Sequence, residues 1–395
     1  FKGGWLCLWL QQLDANVTGF ALPPETKPNL FEVAQVAQGM TSFMGDIRDG
    51  ILLAKTMRQA KPDIVIHMAA QPLVRRSYLE PVETFSTNVM GTVNLFEAVR
   101  QTPSVRAIVN VTTDKCYENK EWQWGYREVD ALGGSDPYSN SKACSELVSS
   151  AFRSSYFEEN KYQTHGVALA TARAGNVIGG GDWAENRLVP DILKSFESVQ
   201  AVSVRNPNAI RPWQHVLDPL TGYLTLCERS FGHAAEFNGA WNFGPGEAHE
   251  WSVEQLVQDF VRHWPGAAWQ WQAGLHAPEV HMFRLDSSKA QEQLEAKGEE
   301  QLDEEEAALV FNQRLLDEER ARREAELTRR VASVPAERPP LDVAVRRTQA
   351  RPQLLGSDPT CLADNAALLA TLQRTAILTS DKFKGVRLSV EPGCL

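Results

Sequence analysis

The sequence predicts an α/β protein: a doubly wound parallel sheet with a smaller C-terminal lobe, followed by a long charged helix and an irregular tail. Three observations predict it. Apolar runs without alternation, such as Asp63-Ile-Val-Ile-His-Met-Ala69, read as strands covered on both faces, the mark of a parallel sheet. Helical stretches of 10–20 residues, notably 82–100 and 138–157, alternate with those runs, as βα units require. The composition also breaks near residue 290. All eleven Trp lie at or before Trp271, all seven Tyr at or before Tyr223, and the only aromatics after Arg284 are Phe311 and Phe383. The last hundred residues therefore lack the large apolar groups of a comparable core.

Taken in order, Asn16–Leu22 is a short β-rich run before a Pro-rich loop, and Asp63–Ala69, Ala107–Thr112 and Gly166–Arg173 are further strands. These make residues 1–175 the sheet domain. From 176 to 290, helices and short strands interleave irregularly, as expected of a lobe over the strand ends, where such sheets bind ligands. Residues 292–306 carry eight acids against Lys297, and Ala, Leu, Glu, Arg and Gln dominate 291–333, which predicts one charged helix. Leu302, Leu309 and Leu316 are seven apart, but the matching row Glu305, Asn312 and Glu319 is polar, so a coiled coil is not expected. Residues 334–395 read as a Pro-rich linker and a poorly structured tail with one helix near 362–372. On this reading, a chain ending near Lys297 keeps its stability and activity.

Bulk composition excludes several functions. The 395 residues hold 40 Lys+Arg against 50 Asp+Glu, a net charge of −10, which argues against binding nucleic acid. No run approaches the about 18–20 apolar residues of a membrane span. The apolar Trp5–Leu10 lacks the basic flank and small-residue site of a signal peptide. Six scattered cysteines form no CxxC pair, which fits reduced thiols in a cytoplasmic protein and argues against a zinc site or a disulfide framework.

Chemistry concentrates in two places. Tyr138-Ser-Asn-Ser-Lys142 puts a phenol and an ammonium one helical turn apart on one face, and a nearby cation favours the phenolate. Val111-Thr-Thr-Asp-Lys115 ends a predicted strand, where an α/β sheet exposes functional groups. Either alone has an ordinary reading, as a chance spacing or a strand end with a capping Asp. Together they carry weight.

With His67-Met-Ala-Ala-Gln-Pro-Leu-Val-Arg-Arg-Ser-Tyr78, Thr87-Asn-Val-Met-Gly-Thr92, Asp136-Pro-Tyr138, Arg173-Ala-Gly-Asn-Val-Ile-Gly-Gly-Gly-Asp-Trp183, Arg187-Leu-Val-Pro-Asp191 and Arg211-Pro-Trp-Gln-His-Val216, residues 1–290 resemble the nucleotide-sugar 4,6-dehydratases of the extended short-chain dehydrogenase/reductase family. Relatives acting on dTDP-glucose have Thr-Asp-Glu where this chain has Thr113-Asp114-Lys115, so Lys115 points to the branch acting on CDP-glucose. The resemblance implies a Rossmann-type fold, a recycled NAD, and a homodimer or higher oligomer paired through helices 82–100 and 138–157. It implies that Tyr138 takes the sugar O4 proton, Lys142 holds the nicotinamide ribose and lowers the Tyr138 pKa, and Thr113 bonds O4. Lys115, or a group it positions, removes the C5 proton, and Asp114 protonates the leaving C6 hydroxyl. Asn176, Arg187 and Arg211 match positions that hold the diphosphate and nucleotide, with His215 a candidate beside them. Asp46 and Ile47 match the adenine position, and Ala69, Ala70, Gln71 and Asn88 further cofactor contacts. Gly179-Gly-Gly181 reads as a turn, since it neither follows the first strand nor opens a helix. No metal site is expected.

Phe1-Lys-Gly-Gly-Trp5 matches the end of the family's Gly-x-x-Gly-x-x-Gly turn, with Gly3 as its third glycine. The strand and two glycines that would precede it are not in the sequence. That strand is central in such a sheet, so its neighbours are expected to lack a partner and the cofactor to bind weakly. The run Gly19–Leu22 ends without the acid that usually accepts the ribose 2′-hydroxyl. Alternatives to the dehydratase are a nucleotide-sugar 4-epimerase of the same fold and a non-catalytic relative.

Overall fold

The computed structural model describes residues 1–232, 234–245, 250–272, 282–294 and 387–391, all within the unit formed by Phe1–Gly298 and Leu378–Leu395. The chain runs from a helix, Lys2–Gln12, through β1 (Asn16–Ala21), β2 (Thr41–Met44), β3 (Ile64–His67), β4 (Ala107–Val111) and β5 (Ala168–Ala174). β3, β4 and β5 are buried at every position, which is why their sequences are continuously apolar rather than alternating. The chain then leaves for β6 (Asn176–Ile178), β7 (Val202–Val204) and β8 (Ile210–His215). It returns with β9 (Gly239–Phe243), leaves again for β10 (Glu250–Ser252) and β11 (Trp269–Trp271), and reaches β12 (Arg387–Glu391).

One sheet of seven strands, ordered β2-β1-β12-β3-β4-β5-β9, forms the centre. All of its pairings are parallel. One face is covered by the helices Gly50–Ala60 and Gly91–Arg100, packed on a cluster that includes Phe20, Leu53, Val65, Leu95, Phe96, Ile108 and Leu169. On the sheet, the helix Leu217–Gly232 packs against β4, β5 and β9.

β12 corrects two expectations. β1 and β3 do not lack a partner: Asn16 to Gly19 pair with Arg387 to Val390, and Leu388 to Glu391 pair with Ile64 to His67. The tail is therefore not wholly irregular, because a stretch of it sits at the centre of the sheet. The physical reason is generic. Two parallel strands with unpaired backbone groups accept any segment that offers its own amides in register. Of the predicted charged helix, residues up to Leu294 are helical, in Ser288–Leu294. The remainder to 333 and the helix near 362–372 lie outside the described residues.

The boundary expected at 175 is crossed, since the helix Leu217–Gly232, β9 and the helix Ser288–Leu294 return to the sheet. The lobe itself consists of β10-β8-β6 and the pair β11-β7. Its core holds Ile192, Phe196, Val202, Val204 and Val257. Among the described residues no helix is long and apolar enough to cross a membrane.

The helix that carries Tyr138 spans Pro137–Ser155. Its start is over-determined: Asp136 accepts from the Ser139 amide at 2.9 Å, and Pro137 occupies the first turn, where no amide donor is needed. Gly134 sits so close that a Cβ there would lie 2.4 Å from Ser139 Cβ, so only glycine lets the preceding loop approach this helix. The neighbouring helix runs in three stretches, Pro81–Phe85, a π-helical turn Ser86–Met90, and Gly91–Arg100.

Candidate active site

A cavity of about 990 Å³ opens over the C-terminal ends of the central strands, between sheet and lobe. Parallel strands all end on one side, so the loops after β3, β4 and β5 meet there. The loop after β4 contributes Thr113, Asp114 and Lys115, the helix Pro137–Ser155 contributes Tyr138 and Lys142, and Gly3 and Ala70 line the wall from the sheet domain. Asn176, Arg187 and Arg211 line it from the lobe. Ten of the sixteen residues singled out in the sequence are thus brought to one cavity.

Thr113 is extended (φ −160°, ψ 157°) and caps the short turn Asp114–Cys116. Its hydroxyl donates to Asp114 Oδ1 at 3.0 Å. Asp114 is buried, and its other oxygen has no partner. Asn176 Oδ1 is likewise buried without a partner. Two orphaned acceptors lining one cavity point to a ligand that donates to them.

Burial drives the Tyr138 phenol up to about 12; a hydrogen bond with Thr113 and the charge of Arg187 pull it down, while Asp114 and Asp136 push it up. Lys142 donates to the Val111 carbonyl at 3.2 Å. Burial lowers its pKa to about 8, opposed by Glu146 and Cys116. Lys142 remains largely protonated at neutral pH.

The six other residues stand elsewhere. Asp46 is held by Arg48, which meets its carboxylate at 2.5 Å and keeps it below the usual range. Ile47 is buried and packs against Gly91, where a Cβ would lie 2.7 Å from Ile47 Cγ2. Ala69 belongs to the core cluster. Gln71 and Asn88 bond one another: the Gln71 amide donates to Asn88 Oδ1 at 2.8 Å, and Asn88 Nδ2 donates to Ser141 Oγ at 2.8 Å. Asn88 therefore ties the loop after β3 to the Tyr138 helix. The backbone of His215 donates to Asp218 Oδ2 at 2.7 Å, and its ring accepts from the Leu217 amide at 3.3 Å. This is the work of a helix-start residue.

Sequence reasoning missed Lys2, Tyr223 and Glu146. Lys2 lines the cavity, and burial, with Arg187 and Lys142 adding to it, lowers its pKa to about 7 against the pull of Asp114. It adjoins Gly3 in the glycine turn, whose known chemistry belongs to its glycines rather than to a lysine. The Tyr223 hydroxyl is buried without a partner, and Tyr138 and Asp114 both bear on its charge. Nothing in the sequence around it distinguishes this Tyr. Glu146 lies four residues beyond Lys142, on the face that carries Tyr138, so its helical spacing was a usable signal.

The GDP-mannose 4,6 dehydratase family profile matches residues 1–308. A curated CDP-glucose 4,6-dehydratase of Salmonella typhimurium is 54% identical over 295 residues, covering 74% of this chain and 82% of the relative. A dTDP-glucose 4,6-dehydratase of Xanthomonas campestris is 29% identical over 190 residues, 46% of this chain and 52% of that relative. Among solved structures, a dTDP-glucose 4,6-dehydratase of Streptomyces venezuelae with NAD bound aligns with a TM-score of 0.62 at 22% identity, covering 81% of this chain and 96% of that one. A UDP-glucose 4-epimerase of Thermotoga maritima aligns with a TM-score of 0.64 at 18% identity, over 80% and 96% of the chains. At these identities the solved structures share the fold, while the match over nearly all of the sheet and lobe carries the family. The chain belongs to the GDP-mannose 4,6-dehydratase family, within the extended short-chain dehydrogenases/reductases.

Proposed function

We propose that this protein is a hydro-lyase that converts CDP-glucose to CDP-4-keto-6-deoxyglucose with a recycled NAD. The observation that carries the reading is the convergence of Tyr138, Lys142, Thr113, Asp114 and Lys115 on one cavity, in a chain 54% identical to a CDP-glucose 4,6-dehydratase. For a dinucleotide the cavity has the Lys142 ammonium and the start of the helix Lys2–Gln12, which brings Gly3 to the wall, while the orphaned Asn176 and Asp114 oxygens are left for the substrate.

When bound, NAD+ supplies the hydride acceptor for C4 and, once reduced, the donor for C6, and its positive charge favours the Tyr138 phenolate. Tyr138 receives the O4 proton, with Thr113 bonding the same oxygen and orienting it. Lys142 holds the ribose from the floor of the cavity. Once C4 is a ketone, C5–H is acidic, and Lys115, or a group it positions, takes that proton. Asp114 hands a proton to the departing C6 hydroxyl, which leaves as water; its partnerless Oδ2 is the oxygen available for this. Asp114 is buried and Lys115 half-buried, so the two side chains meet the sugar from different depths of the cavity. Arg187, whose Nη1 is held by Asp182 at 2.7 Å, and Arg211 suit a diphosphate. Asp46 and Ile47 would face adenine through their loop, and Asn88 would act through Gln71.

CDP-glucose deuterated at C4 tests this. The product is expected to carry the label at C6, and unlabelled substrate turned over in heavy water to gain deuterium at C5. Label returned to C4 with no exchange at C5 marks an epimerase and refutes the dehydratase.

The exposed apolar residues Val82 and Met90, eight apart along one helix, and Leu147 on the Tyr138 helix support a homodimer in which these helices form a four-helix bundle. Light scattering should then show a dimer that Val82→Glu with Leu147→Glu converts to a monomer; a wild-type monomer at micromolar concentration rejects the pairing. The free thiols of the described cysteines, Cys7, Cys116, Cys144 and Cys227, support a cytoplasmic setting.

A further inference from the structure

One buried ion pair, outside the residues assigned to the cavity, reaches both ends of the segment that carries Thr113, Asp114 and Lys115. Glu146 and Arg173 are 2% and 4% exposed at their side chains and meet at 2.8 Å. One carboxylate oxygen of Glu146 accepts from Thr112 Oγ1 at 2.5 Å; the other accepts from Thr171 Oγ1 and Arg173 Nη2, both at 2.8 Å. Arg173 Nη1 donates to Tyr117 Oη at 2.9 Å and to the Glu128 carbonyl at 3.2 Å. The guanidinium also stands over the Tyr117 ring, 4.9 Å from its centroid. Tyr117 in turn donates to Asn242 Oδ1 on β9 at 2.6 Å. The pair thus grips Thr112 at one end of the segment and Tyr117 at the other. Glu146 is on the same helix face as Tyr138 and Lys142.

We propose that Glu146 and Arg173 are positioning residues for the reaction: their ion pair sets where the Thr113–Lys115 segment stands against Tyr138 and Lys142. A buried pair is a poor device for stability, since apolar residues of similar volume often do as well. It is a good device for registry, because a charged carboxylate with three directional bonds accepts one geometry only. Burial pushes the Glu146 carboxyl up, but Arg173 and the two threonine hydroxyls outweigh it and hold it below its ordinary value. The pair is therefore ionised at neutral pH. The inference rests on the dehydratase reading for what the segment does, but not for what holds it.

Three variants of the full chain test it: Glu146→Gln, Arg173→Lys, and the double variant Glu146→Gln/Arg173→Met, which removes both charges together. Glu146→Gln is expected to lower kcat about 100-fold, the scale of a 1 Å misplacement. KM for CDP-glucose stays unchanged, because Asn176, Arg187 and Arg211 are untouched. Amides 112–117 should exchange faster with solvent while those of β3 keep their rates. Arg173→Lys, which keeps the charge, should recover part of kcat. The double variant should regain the melting temperature but not kcat. A double variant that regains both, or a Glu146→Gln protein with wild-type kcat and wild-type exchange at 112–117, overturns the proposal. If wild type itself fails to convert CDP-glucose, the dehydratase reading falls. Exchange at 112–117 then still decides the role of the pair.

Discussion

The two halves of the cavity are built on different principles. The Tyr138 half is local and specific: β4, the turn after it and the helix Pro137–Ser155 lie within fifty residues of each other, and side chains fix their geometry. Asn88 reaches Ser141, Glu146 reaches Thr112, and Asp136 caps the helix. The glycine-turn half rests on distant segments: the helix Lys2–Gln12 brings Lys2 and Gly3 to the cavity and packs on β1 and on β12 at residues 387–391, and β12 is joined to β1 and β3 through backbone pairing. Chemistry demands particular side chains at particular distances, whereas the centre of a parallel sheet demands amides and carbonyls in register. The first can be read from residue identity, and the second is nearly silent in it.

Removing β12 should have the largest effect. Deleting residues 387–391 strips β1 and β3 of a ladder on each side, and each buried backbone group left unpaired costs about 1–3 kcal/mol. Several such groups rival the whole stability of a domain, about 5–15 kcal/mol. We expect no cooperative thermal transition and no native near-ultraviolet dichroism. An unchanged melting temperature would return the tail to the dispensable status its composition suggests, and the contrast between the halves would be lost.

Tyr138→Phe should act only on the specific half. Turnover is expected to fall by about 10²–10⁴-fold, the usual worth of a positioned acid or base, with the melting temperature within a few degrees of wild type. Activity near that of wild type would remove Tyr138 from the chemistry.

A smaller effect separates the halves by pH. Lys2 in the glycine-turn half has its pKa lowered from 10.5 to about 7, and Lys142 in the Tyr138 half to about 8. Below these values both the folded and unfolded chains hold the proton, and the folded state bears the cost of a buried ammonium. Above them the folded chain releases the proton while the unfolded chain keeps it to about 10.5, so stability rises with pH, at up to about 1.4 kcal/mol per unit for each group. Between pH 7 and 8 Lys2 contributes to the rise together with the buried Phe1 amino group, lowered from 8.0 to about 4, and the onset of Lys142. Lys2→Met should therefore lessen the slope of denaturant-derived stability from pH 7 to 8 and leave the slope above 8. A slope between 7 and 8 unchanged by the substitution would place the titrating group elsewhere.

Much of this protein was legible in advance. Uniform apolar runs gave away β3, β4 and β5, because strands buried on both faces have no polar side to alternate with. Tyr138, Lys142 and the Thr113–Lys115 turn declared themselves because helical spacing and a strand end put reactive groups on one face. Asn88 matched a family position and His215 stood as a candidate beside others; the Asn88 side chain bridges Gln71 and Ser141, and the His215 ring accepts from the Leu217 amide. Residue identity does not announce the bond to Ser141, which lies 53 residues from Asn88.

By itself, then, the sequence determined the parallel α/β fold and pointed to residues that share one cavity, Tyr138, Lys142 and Thr113 to Lys115, since hydrophobic period and residue chemistry are properties of short stretches. Tertiary structure alone decided three things: that β12 stands between β1 and β3, that Lys2 is sunk beside Lys142 and Arg187, and that Glu146 grips Thr112. The first two join segments far apart in the chain, and the third joins a strand end to a helix 34 residues on. A strand's place in a parallel sheet follows from backbone pairing open to almost any residue, and a buried charge is settled by the partners that folding brings to it.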